Sequence, residues 1–144
     1  MRLAIGSDHA GVTFKALLAE HLRGLGHDVL DVGPSDTTSV DYPDFAHRVT
    51  DALTGGKVDR GVLICGTGQG MAMSANKVPG VRAAVVSDTF SAAMAMQHND
   101  ARVLCIGERV VGPGLAMSLL DAWLGASFEG GRHARRVGKI EGTG

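Results

Sequence analysis

Five times along this chain a short, β-rich apolar run gives way to a segment of helical periodicity, and few folds tolerate that alternation. Arg2–Gly6, Asp28–Val32, Gly61–Cys65, Arg82–Val86 and Arg102–Ile106 read as strands. Apart from Asp31, their interiors are continuously apolar, the pattern of strands covered on both sheet faces. Between the first two, Phe14, Leu17, Leu18, Leu22 and Leu25 recur at helical spacing until Gly26 stops the helix. Pro43 opens a second helix that Gly55-Gly56 ends. A short helix follows Gly70 and must end before Pro79, a fourth runs from about Asp88 to His98, and a fifth carries Leu119, Leu120 and Trp123 up to Gly125. The tail from Ser127 to Gly144 reads as a last helix with a frayed Gly142-Thr143-Gly144 end. Successive βα units predict an α/β fold, a Rossmann-like three-layer α/β/α sandwich around a five-stranded parallel sheet. The expected strand order is 2-1-3-4-5. In that order the winding reverses between strands 1 and 3, and ligands bind at the carboxyl ends of the strands there.

Composition narrows the function classes. The 144 residues make one domain, 1–144, and 44% hydrophobic against 20% charged residues excludes a mainly disordered chain. A formal net charge of -1 supplies no basic field for nucleic acid or an anionic membrane, so any anion site is local. The longest uncharged stretch, Gly61–Asn76, is too short and polar to span a bilayer, and the N-terminus turns polar at Ser7-Asp8-His9. A cytoplasmic location is expected. Cys65 and Cys105 form no CxxC pair and read as free thiols.

The loops after strands 1 and 3 are therefore where chemistry is expected. In Cys65-Gly66-Thr67-Gly68-Gln69-Gly70 a strand runs into a helix, and amides in such a turn can hold a phosphate, a carboxylate or an oxyanion. It is not a Walker loop or a dinucleotide fingerprint, and the alternative is a tight turn without ligand. Cys65 is either a small core residue or a reactive thiolate at a helix start. Asp8-His9 either caps the first helix or handles sugar hydroxyls in the crevice. Gln97-His98-Asn99-Asp100 reads as a polar helix end. Arg132 and Arg136, four apart, can fork onto a phosphate or form a solvated tail, while His133 and Arg135 read as surface.

Taken together, Ser7-Asp8-His9-Ala10-Gly11, Asp41-Tyr42-Pro43, Cys65–Gly70, Ala75-Asn76-Lys77, Gln97-His98-Asn99-Asp100 and Glu129-Gly130-Gly131-Arg132-His133 resemble the type B ribose-5-phosphate isomerase family. That family also contains galactose- and allose-phosphate isomerases. The resemblance covers nearly the whole chain in order. It implies aldose–ketose isomerisation through a cis-enediolate without metal or cofactor. By position it makes Cys65 the base between C1 and C2, with Thr67 near the sugar oxygens. The amides of Gly66, Gly68, Gln69 and Gly70 become an anion hole. His98 becomes the ring-opening residue, with Asp8 opposite it. His9, Arg132 and Arg136 match phosphate contacts, Asn99 a sugar contact, and Tyr42 a pocket residue. Some relatives use a Glu just after the Gly-rich loop instead of the cysteine; Met71 stands there, so this chain matches the cysteine type.

The resemblance also implies a homodimer, or a tetramer, with sites at the interface. Topology points the same way, because Cys65 ends a strand while His98 ends a helix running back along the sheet. Alternatives are an isomerase of allose, galactose or tetrose phosphate, or a non-catalytic phosphosugar-binding subunit. A receiver or flavodoxin module lacks support, since only Asp8 stands where a receiver needs an acidic cluster.

Overall fold

The computed structural model describes residues 1–143. Strands β1 (Arg2–Ser7), β2 (Asp28–Asp31), β3 (Arg60–Cys65), β4 (Ala83–Val85) and β5 (Val103–Gly107) form one parallel sheet. They alternate with α1 (Val12–Gly24), α2 (Tyr42–Thr54), α3 (Gln69–Asn76), α4 (Thr89–Asn99) and α5 (Pro113–Leu124), and α6 (Arg132–Ile140) follows. The expected elements are present, most with ends shifted by one or two residues, while the last helix starts five residues later than expected, after the glycine pair Gly130-Gly131. Asp88 caps α4 by accepting a hydrogen bond from the Ser91 amide at 2.7 Å.

The sheet order is β2-β1-β3-β5-β4, not the expected 2-1-3-4-5. Bulk explains the exchange. Every residue of β5 is buried, whereas β4 is three residues long and each is half-exposed. Ala83 and Ala84 cannot fill two helix-covered faces, and Val103, Leu104 and Ile106 can. At the β4 edge, Asn76 covers part of the open ladder by bonding both the amide and the carbonyl of Ala83 (2.8 and 2.9 Å). The expectation of full cover also fails for β2, the other edge, where Leu30 is 46% exposed.

Two cores sandwich the sheet, and successive residues of the central strands serve them alternately. Leu3, Ile5, Val62, Ile64, Leu104 and Ile106 pack toward α1, α4 and α5, around the fully buried Trp123. Ala4, Leu63, Cys65, Val103 and Cys105 pack toward α2 and α3. Burying a large aliphatic side chain of this kind stabilises by about 1.5–3 kcal/mol.

Three polar anchors position the loops. The buried ammonium of Lys15 donates to Asp31 and to the Pro34 carbonyl, hooking α1 to the loop that follows β2. Arg60, at the start of β3, donates to the carbonyls of Trp123 and Ala126 (2.7 and 3.0 Å). Arg82 donates to the Asn99 and Asp100 carbonyls and pairs with Glu141 at 2.7 Å, so one guanidinium ties the end of α4 to the end of α6. Asp100 itself adopts a left-handed conformation (φ 46) that terminates α4. Beyond α6, the Thr143 amide bonds the Gly138 carbonyl at 2.8 Å. Gly144 lies outside the described residues.

Candidate active site

Two clusters of the expected residues lie at opposite ends of the sheet. At the carboxyl end, the Asp8 amide donates to the Ile64 carbonyl at 3.0 Å, which seats the post-β1 loop against β3. One Asp8 carboxylate oxygen accepts the Gly11 amide at 2.8 Å, so the capping alternative holds for that oxygen. His9 accepts the Val40 amide at Nδ1 (3.2 Å), which leaves Nε2 as the ring nitrogen able to donate. Tyr42, at the start of α2, lays its phenol against Gly70.

The Gly-rich turn joins β3 to α3. Cys65 is buried at 6% exposure, and its Sγ accepts the Gly68 amide at 3.1 Å. Gly68 has φ +83, a conformation that favours glycine, and it turns the chain so that this amide points back at the sulfur. The Gln69 amide is taken by the Thr67 hydroxyl at 3.3 Å. Among the described residues, no acceptor takes the amides of Gly66, Thr67 or Gly70. Unpaired amides at a helix start offer donors and positive potential to an anion.

Central placement of β5 adds two residues that the sequence reading missed. The Glu108 and Arg109 amides bond the carbonyls of Cys65 and Gly66 (2.9 and 3.1 Å), and the Arg109 side chain lies across Gly66. Burial first, and the Asp8 carboxylate second, push the Glu108 carboxyl above the ordinary glutamate range, with Arg109 opposing. The signal for this loop was the bulk of Val103–Ile106, which marks a central strand.

The second cluster sits at the amino end. His98 and Asn99 close α4, next to a cleft lined by Arg60, Met96, Asp100, Arg102 and Phe128. Arg132 and Arg136 are exposed on α6, where Glu129 anchors the preceding turn by donating its amide to the Gln97 carbonyl at 3.0 Å. His133 was expected on the surface and is instead buried at 7% exposure. Its ring stacks on His98, with centroids 4.3 Å apart and planes 8° from parallel. The cause is the turn at Gly130 and Gly131, both with positive φ, which folds α6 back onto the end of α4. Burial first, then His98 and Arg132, hold His133 below the ordinary histidine value, against the pull of Glu129.

Chain geometry keeps these clusters apart. The six residues of β3 separate Cys65 from the amino end by about 16 Å, and α4 returns over a similar span. Neither cluster alone combines a thiol beside free amides with a histidine and a basic pair.

Comparisons with known proteins bear on the whole chain. A family model described as Ribose/Galactose Isomerase matches residues 3–140. Ribose-5-phosphate isomerase B of Escherichia coli is 48% identical over 139 residues, covering 96% of this chain and 93% of that protein. The structure of Clostridium thermocellum ribose-5-phosphate isomerase B is similar with a TM-score of 0.97 at 51% identity, over 99% of this chain and 96% of the other. That of the Mycoplasma genitalium ribose-5-phosphate isomerase B with bound ribulose-5-phosphate gives 0.92 at 46% identity, over 97% and 93%.

Proposed function

The chain belongs to the ribose/galactose isomerase family, and on that premise we propose that it interconverts ribose 5-phosphate and ribulose 5-phosphate. The observation that carries this reading is the turn after β3, where a cysteine sulfur precedes three amides without acceptors. Isomerisation builds negative charge on a sugar oxygen, and fixed donors stabilise such charge without reorganising.

In this reading the cyclic sugar opens first. His98 gives a proton to the ring oxygen while Asp8 takes one from the C1 hydroxyl, leaving an aldehyde. The Cys65 thiolate then removes the C2 proton, and the unpaired amides of Gly66 and Gly70 hold the enediolate, with those of Gly68 and Gln69 turning to it from Cys65 Sγ and the Thr67 hydroxyl. Thr67, beside the sugar oxygens, assists the proton shift from O2 to O1. Return of the proton from sulfur to C1 completes the ketose. Net, one hydrogen moves from C2 to C1 and one from O2 to O1. Arg132, Arg136 and His9 hold the phosphate, Asn99 a sugar hydroxyl, and Tyr42 walls the pocket. No metal takes part.

The two clusters meet only if a second copy supplies one of them. A homodimer therefore shares each site, with His98, Asn99, Arg132 and Arg136 facing the other chain's Cys65. Mixing inactive Cys65→Ala with inactive His98→Asn after dissociation tests this. Random pairing makes half the dimers mixed, each with one intact site, so about a quarter of wild-type activity returns. If subunits demonstrably exchange and no activity returns, the shared site is wrong.

A second reading is isomerisation of another sugar phosphate, an allose, galactose or tetrose phosphate, and the family description, which joins ribose with galactose, supports the galactose case. Comparing kcat/KM on ribose, allose, galactose and erythrose phosphates separates the two. A preference for any sugar other than ribose 5-phosphate rejects the first. No turnover of any of them leaves a phosphosugar-binding subunit.

A further inference from the structure

We propose that His98, Glu129 and His133 form a site for a divalent transition cation of the zinc class, and that its occupancy silences His98. The second half of this inference rests on the ring-opening role given to His98 above; the first half stands on geometry alone.

One ligand atom from each of the three side chains lies within 4.8 Å of the other two. His133 Nε2 is 3.5 Å from Glu129 Oε2, close to the roughly 3.4 Å between donors sharing a tetrahedral zinc at about 2.0–2.1 Å. Among the described residues the same Nε2 is buried without any hydrogen-bond partner, a condition that native proteins rarely leave uncorrected. Two imidazoles and one carboxylate suit zinc, cobalt or nickel and leave coordination positions for water; magnesium and calcium prefer oxygen ligands.

Two of the three ligand residues have anchored backbones. The His133 amide bonds the Gly130 carbonyl at 3.0 Å, and the Glu129 amide bonds the Gln97 carbonyl at 3.0 Å. His98 is the moving part. Its ring is stacked on His133, so the two sets of in-plane lone pairs lie side by side and do not converge. To reach a shared cation, the half-exposed His98 ring must swing out of the stack while the buried His133 stays. Binding thus converts a residue poised for proton transfer into a ligand turned away from the sugar. The exchange also gives the orphaned His133 nitrogen a partner.

The test is calorimetric titration of the chelator-treated full-length protein with zinc chloride, with cobalt absorption as a second probe. One zinc per chain is expected, with binding intact in Cys65→Ala and at least tenfold weaker in Glu129→Gln and in His133→Asn. Magnesium should not compete. In the isomerase assay zinc should inhibit the wild type with the midpoint seen in calorimetry. Glu129→Gln, which keeps its basal turnover, should need at least tenfold more. Binding that survives Glu129→Gln and His133→Asn but disappears in Cys65→Ala would mean capture by the thiol and overturn the site, as would no binding at all. Zinc bound at the cluster without loss of turnover overturns the silencing and the role of His98 with it. Because the calorimetric arms do not need turnover, they stand even if the protein isomerises none of the sugars tried.

Discussion

The ring of Tyr42 stands where a side chain on Gly70 would begin. A Cβ at position 70 would meet the phenol carbons at 2.6 and 2.7 Å and the hydroxyl oxygen at 2.8 Å. Tyr42 is 41% exposed, so the ring can yield by leaving the loop rather than by unfolding α2. Gly70→Ala should therefore keep its melting temperature within a few degrees while KM rises severalfold. An unchanged KM would remove Tyr42 from the pocket.

Cys65→Ala should lower kcat by on the order of 10² or more with KM little changed, the pattern of a lost transition-state interaction. The two thiols should also separate chemically. Cys105 is fully buried, and burial pushes its thiol far above the ordinary cysteine value. Iodoacetamide should modify Cys65 alone in the native protein, in step with loss of activity, as read by peptide mass. Activity that persists after Cys65 is fully alkylated would end the assignment of the base.

Arg132→Ala and Arg136→Ala should act on binding. A hydrogen bond to a charged group contributes about 1.5–3 kcal/mol, so KM should rise at least severalfold in each. Inorganic phosphate should inhibit the wild type and lose potency in both variants. Normal KM in both would leave these exposed side chains as a solvated surface of α6.

Glu108 offers a pH test with a definite sign. Its carboxyl is raised in the folded protein by burial and by Asp8, so the native state holds this proton more tightly than the unfolded chain. The stability it contributes is complete below the ordinary glutamate value of 4.5 and is lost as pH rises through the folded value. Glu108→Gln should melt higher than wild type at pH 8 and together with it below pH 4.5. An equal offset at both pH values would assign the difference to packing instead of charge.

Most of the backbone was legible in the chain because each apolar run carries its own punctuation. Pro43, Asp88, Gly26 and Gly125 mark helix ends by local rules that need no knowledge of neighbours. Strand order is a different kind of information. It depends on which of two apolar runs better fills a site with helices on both faces, and Val103–Gly107 wins over Ala83–Val85 by bulk. That single exchange hid Glu108 and Arg109, whose loop reaches the Gly-rich turn only when β5 lies beside β3. His133 was hidden for another reason. Helical spacing on α6 alone gives its direction, but its burial comes from the turn at Gly130-Gly131 that lays α6 on α4.

Lys15 touches none of the residues given a chemical role, yet its ammonium fastens the start of the loop that ends in Val40 and Tyr42. Release of that fastening would loosen two walls of the pocket together, the His9 ring held by Val40 and the phenol of Tyr42. A damaging substitution here would look, in an enzyme assay, like a fault in substrate recognition. Lys15→Met keeps most of the side-chain volume and should raise KM more than it lowers kcat. A survey of substitutions that scored only fold and catalytic contacts would file position 15 as packing; a KM that rises in Lys15→Met with kcat nearly kept would instead make it a remote determinant of affinity.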